Sequence, residues 1–126
     1  MSKPLAILAV DDDALVLMNT AAMLDDRGHR VTMAYSGKEA LKILRSGEAF
    51  DLLITDQGMP GMTGTELIDT VRTERPDLPI VLATAYDELP VDTARGVPRL
   101  LKPFMQGQLL EIVKQAVANH KADGGS

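Results

Sequence analysis

The chain contains no cysteine, which excludes a disulfide framework and thiol chemistry. Tryptophan is also absent, and tyrosine and phenylalanine contribute two residues each. So few rings cannot build the stacking platforms of single-stranded nucleic-acid binders. Positive charge is in the minority: 13 Lys and Arg against 18 Asp and Glu leave a formal net charge of -5. That balance argues against nonspecific binding to nucleic acid or to an anionic membrane. No apolar run approaches membrane-spanning length, and Met1-Ser2-Lys3-Pro4 opens no signal-peptide core. Neither G-x-G-x-x-G nor G-x-x-x-x-G-K occurs, so the common nucleotide-binding loops are missing. These absences point to a soluble, cytoplasmic protein with no direct nucleic-acid or membrane partner.

What is present is apolar and periodic. At 126 residues and 45% hydrophobic, the chain can bury one core and is too short for two. Leu5 to Val10 reads as a buried strand. Asp12 or Asp13 can cap a helix from Ala14 to Arg27 that Gly28 ends. His29 to Ala34 alternates like an edge strand, and Ser36-Gly37-Lys38-Glu39 is a capping box for a helix to about Arg45. Leu52 to Asp56 is the central strand. Thr63-Gly64-Thr65-Glu66 is a second capping box, and Pro76 ends the helix that it opens. Pro79 to Thr84 is a further strand. Pro90, Gly96 and Pro98 leave room for one short helix at most, near Val91 to Arg95. Arg99 to Lys102 is the last strand and Met105 to His120 the closing helix. Residues 1–120 form one domain by this reading, and residues 121–126 a flexible tail. Strands alternating with helices imply α/β architecture: a doubly wound, five-stranded parallel sheet in the order 2-1-3-4-5, with a shortened fourth helix.

Asp56 stands where the central apolar run breaks into Gln57-Gly58-Met59-Pro60-Gly61. Alone it reads equally well as a turn cap. Its company changes the weighting. Right-handed crossovers bring the carboxyl ends of all strands to one rim, where open α/β sheets bind ligands. Asp11 and Asp12, Asp56, Thr84 and Lys102 all end strands. Neighbouring carboxylates repel unless a cation joins them. Hard oxygen donors suit Mg²⁺. An aspartate near screened positive charge is a nucleophile toward phosphorus, with Lys102 and the Thr84 hydroxyl placed to steady the phosphoryl oxygens.

The motifs Val10-Asp11-Asp12-Asp13, Asp56 before Met59-Pro60-Gly61, Thr84-Ala85 and Lys102-Pro103-Phe104 occur in one order over residues 4–120. In this the chain resembles the receiver domains of bacterial two-component response regulators, which are CheY-like, in the style of hybrid-kinase or stand-alone receivers. The resemblance implies that Asp56 takes a phosphoryl group from a histidine kinase or a histidine phosphotransfer protein. It implies Mg²⁺ or Mn²⁺ on Asp11, Asp12, Asp56 and the Gly58 carbonyl. It implies phosphoryl contacts from Thr84 and Lys102, and a cis Lys102–Pro103 peptide. The product is a phosphorylated switch for an unidentified downstream protein, not a turnover enzyme. Arg99 stands where the family usually has a switch aromatic, and Gly58 and Tyr86 stand at positions that tune phosphoryl loss.

Two other readings compete. A pseudo-receiver would keep the fold as a binding module without phosphorylation. An aspartyl-phosphate phosphatase would need an acid two residues past Asp56, where Gly58 has no side chain. Finally, the first helix is apolar on two faces. Val16, Thr20, Met23 and Leu24 are expected to meet the sheet, leaving Leu17, Met18 and Ala21 to dock a kinase helix.

Overall fold

The computed structural model describes residues 3–85 and 96–124. Five apolar runs form β1 (Ala6–Val10), β2 (Arg30–Ala34), β3 (Leu52–Asp56), β4 (Ile80–Ala85) and β5 (Arg99–Lys102). Between and after them lie α1 (Ala14–Asp25), α2 (Gly37–Arg45), α3 (Gly64–Glu74) and α4 (Gln106–Gly124). All strand pairs are parallel, in the order β2-β1-β3-β4-β5. This is the doubly wound, CheY-like sheet expected from the sequence.

Alternate side chains of the inner strands feed two separate cores, and edge strand β5 adds Leu100 to one of them. Leu8, Val10, Leu53, Ile80 and Leu82 pack with Leu41 and Leu44 of α2 and Leu67, Ile68 and Val71 of α3. Ile7, Leu52, Ile54, Val81 and Leu100 pack with Leu24 of α1 and Leu109, Val113 and Ala116 of α4. Every residue of β3 is buried, since it is covered on both faces and flanked by β1 and β4.

Local signals set most helix starts. The Asp13 carboxylate accepts from the Leu15 and Val16 amides at 3.0 and 3.2 Å and caps α1. Thr63 and Glu66 form the reciprocal box at α3. At α2 the box is half-formed: Ser36 accepts from the Glu39 amide, whereas the Glu39 carboxylate takes the Tyr35 amide at 2.7 Å instead of that of Ser36. The far ends of α2 and α3 are tied by a bidentate pair of Arg45 and Glu74 (2.9 and 2.6 Å). Arg75 adds bonds to the carbonyls of Leu44 and Glu48.

Four expectations need correction or fall outside the described residues. Leu17 is 1% exposed and belongs to the core, not to an outer stripe. The buried row of α1 is Leu17, Thr20 and Leu24, with Val16, Ala21 and Met23 half-buried and Leu15 and Met18 outermost. An apolar pattern on two faces does not determine rotation about the helix axis; packing against the sheet together with the polar contacts at the helix's two ends does. Gln106 holds the C-terminal part of α1, donating to the Met23 carbonyl and the Asp26 carboxylate at 3.0 Å each. The closing helix runs to Gly124, so the segment read as a tail from residue 121 is helical through that point. Tyr86 and the short helix expected near Val91 to Arg95 lie outside the described residues. Among the described residues, no helix is long and apolar enough to cross a membrane.

The first turn of α3 abuts the end of β3. A Cβ on Gly64 would overlap the Asp56 carbonyl oxygen and lie 2.9 Å from the Gln57 Cα. Alanine is the better helix former by about 1 kcal/mol, so propensity alone would make Gly64→Ala stabilising. We expect the clash to win and to lower the free energy of urea unfolding by about 1–3 kcal/mol. Stability at or above wild type would contradict so close an approach.

Candidate functional site

Because β1 and β3 are neighbours, with Val10 beside Thr55, the residues at their ends lie side by side. Asp11 and Asp56 are both buried. The Asp11 amide donates to the Ala34 carbonyl, and its carboxylate accepts from the Asp13 amide at 2.9 Å. Asp12 is exposed. One carboxylate oxygen each from Asp11, Asp12 and Asp56 lie within 4.8 Å of one another.

Lys102 approaches from the opposite edge of the sheet. It ends β5, and β4 separates it from β3. Two strand spacings come to roughly 10 Å, a span that the extended lysine and the Asp56 side chain close between them. Its path crosses Ala83, the register neighbour of Asp56, whose methyl leaves room on the α1 side of the sheet. The ammonium makes an ion pair with Asp56 and reaches Asp11 at 3.4 Å. Burial is the largest single influence on Lys102 and lowers its pKa. The hydrogen bond and charge of Asp56, followed by those of Asp11, together outweigh it and hold the pKa above the usual lysine value.

Thr84 is fully buried at the end of β4, and its hydroxyl donates to the Ala85 carbonyl at 3.1 Å. The cleft beside α1 is lined by Asp11, Leu17, Asp56, Ala83, Lys102 and Phe104, among others. The Lys102–Pro103 peptide is cis, as the resemblance implied. Gly58 is exposed in the β3–α3 loop, and Arg99 opens β5 opposite Leu82, half-buried. Tyr86 is not among the described residues.

The donor set fits a hard divalent cation. Three carboxylates against one ammonium leave a formal charge of -2, all ligand atoms are oxygens, and exposed Asp12 leaves one side open to water. Next in sequence to the cleft residues Val16, Leu17 and Phe104, the side chains of Leu15 (79%), Met18 (55%) and Met105 (75%) are exposed and apolar. Sequence reasoning passed over Leu15, Met105 and Gln57. Leu15 and Met105 carry no signal beyond hydrophobicity next to a turn, and Gln57 matches no motif.

A family model described as the response regulator receiver domain matches residues 7–114. The response regulator protein FleR of Pseudomonas aeruginosa is 38% identical over 113 residues, 85% of this chain and 23% of FleR. The sensor kinase CckA of Brucella abortus is 34% identical over 122 residues, 91% of this chain and 13% of CckA. The chain therefore spans less than a quarter of the length of either relative. A solved response regulator receiver domain protein from Clostridium thermocellum superposes with a TM-score of 0.83 at 25% identity, covering 93% of this chain and 97% of that one.

The raised pKa of Lys102 has a thermodynamic sign. The folded protein holds this proton more tightly than the unfolded chain does. The resulting stabilisation is complete below the ordinary lysine value of about 10.4 and is lost as pH rises through the folded value. We expect wild type to exceed Lys102→Met in unfolding free energy by a constant margin between neutrality and about pH 9, and by a shrinking one above it. A margin that stays constant above about pH 11 would remove the ammonium from this role.

Proposed function

The chain belongs to the response regulator receiver domain family, and from that premise we propose that Asp56 is its phosphoacceptor. A carboxylate oxygen of Asp56 attacks the phosphorus of a phosphohistidine. The P–N bond breaks, its electron pair leaves with the imidazole, and an acyl phosphate remains on Asp56. Lys102 is already beside the reacting oxygen, and its ammonium offsets charge that develops on the phosphoryl oxygens. The Thr84 hydroxyl contributes a hydrogen bond once it turns from the Ala85 carbonyl. Asp11, Asp12, Asp56 and the Gly58 carbonyl would hold Mg²⁺, or Mn²⁺, which supplies further positive charge to the same oxygens. The observation that carries this reading is the convergence of Lys102 on two buried carboxylates from across β4.

In this reading the protein is a cytoplasmic phosphoacceptor rather than a turnover enzyme. Its phosphodonor is a histidine kinase or a histidine phosphotransfer protein. The docking surface is the outer face of α1, with Leu15 and Met18 as anchors, Ala21 half-buried at its margin and exposed Met105, just ahead of α4, as a further apolar contact. Exposed apolar side chains beside the reacting carboxylate suit a helical partner, and methionine adapts to one. Arg99, half-buried on β5, replaces the aromatic through which receivers usually signal, so the response passes through a different contact.

Acetyl phosphate with Mg²⁺ tests the chemistry. Intact mass is expected to show one phosphoryl adduct, absent with EDTA and absent in Asp56→Asn. A robust adduct in Asp56→Asn would sink the assignment, and none in wild type would favour a pseudo-receiver. For docking, Leu15→Glu with Met18→Glu is expected to slow transfer from a phosphorylated kinase at least tenfold, an energy of about 1.4 kcal/mol. Labelling by acetyl phosphate should not change. Equal loss with both donors would argue against a docking face.

A further inference from the structure

Gln57 follows the phosphoacceptor directly and is half-buried, yet the transfer described above uses nothing of it. Its bonds run in three directions. The backbone N–H donates to the Ala83 carbonyl at 3.0 Å, which joins the residue after Asp56 to β4. The backbone carbonyl accepts from the Met59 amide at 3.1 Å and from the Gly64 amide at 3.0 Å. The side chain reaches the first turn of α3: Oε1 accepts from the Thr65 amide at 2.9 Å, and Nε2 donates to the Thr65 hydroxyl at 3.4 Å. A backbone amide can only donate, so the chemistry fixes which way round the Gln57 amide sits.

The bond from the Met59 amide back to the Gln57 carbonyl closes a three-residue turn around Gly58. Gly58 has no side chain to hold it, so the direction of its carbonyl follows from its two neighbours. Met59 is anchored by burial. Gln57 is anchored by Thr65 and by the close approach of Gly64 to the end of β3. Groups behind a metal ligand commonly set its orientation and hence the affinity of the site.

We propose that Gln57 is a positioning residue: by hooking Thr65 at the start of α3, it holds the Gly58 turn in the orientation a divalent cation needs at the acidic edge. The inference rests on the reading of Asp11, Asp12, Asp56 and the Gly58 carbonyl as the cation site. Gln57→Met keeps the length of the side chain and loses both hydrogen bonds to Thr65. Arg45→Ala serves as the structural control, because it severs the ion pair with Glu74 at the other end of α3. Amide shifts during MgCl2 titration give a dissociation constant for each protein. Hydrogen exchange in EDTA gives the local opening of the amides of Met59, Gly64 and Thr65.

We expect Gln57→Met to bind Mg²⁺ about tenfold more weakly and to speed exchange at those three amides. Arg45→Ala should lose thermal stability while keeping its Mg²⁺ affinity. Gln57→Asn, whose amide falls one methylene short of Thr65, gives the same readout should Gln57→Met fail to fold. Wild-type affinity in the Gln57 variants would overturn the inference, and so would an equal loss of affinity in Arg45→Ala. Wild-type protein that binds no Mg²⁺ would overturn the reading of the site, and the positioning role with it.

Discussion

The Lys102 ammonium is the interaction on which the carboxyl edge depends. Two buried carboxylates, Asp11 and Asp56, lie beside each other because β1 and β3 are neighbours in a parallel sheet. Buried like charges at that distance are costly without a counter-charge. The counter-charge comes from a strand two places away and crosses a residue no larger than alanine. It compensates one charge of three. The remaining negative excess is one that a divalent cation would offset, and a phosphoryl group can approach only once it is offset. Stability at this edge and the reactivity proposed for it therefore rest on the same incomplete neutralisation.

Three consecutive aspartates divide the work by position. Asp13 is spent on the first turn of α1. Asp11 turns inward, fixed by the Asp13 amide on one side and Lys102 on the other. Asp12 faces solvent. One residue type in a row thus supplies a helix cap, a buried anchor and an exposed oxygen donor. The backbone leaving β1, not the chemistry of the side chain, assigns the roles.

Much of this was legible in the sequence, for a definite reason. Parallel connectivity puts every strand's carboxyl end on one rim, so the residues that end apolar runs can be assembled before any coordinate is known. Asp11, Asp56 and Lys102 were brought together that way; the box at Thr63 is read instead from its local Thr-x-x-Glu signature. The misses share a different cause. The core position of Leu17, the Glu39 bond to Tyr35 and the hook from Gln57 to Thr65 are tertiary or loop choices among alternatives that the local pattern leaves equal. Thr84 was correctly placed at the rim, but the direction of its hydroxyl, toward Ala85, is invisible to any periodicity. The end of α4 was set four residues short because alanine, lysine and aspartate carry no stop signal before Gly124.

The ambiguity of α1 shows how an oily helix acquires a single rotational phase. Its apolar residues would accept the sheet through more than one sector of the cylinder. Packing of Leu17 and Leu24 is joined by polar ties that favour one sector: the Asp13 carboxylate on the Leu15 and Val16 amides at one end, and Gln106 on the Met23 carbonyl and Asp26 at the other. Grease holds the helix down, and a few hydrogen bonds set its angle like pegs on a string. Leu15 and Met18 point outward at that angle, so the outer face of the helix is set in part by residues that do not belong to it.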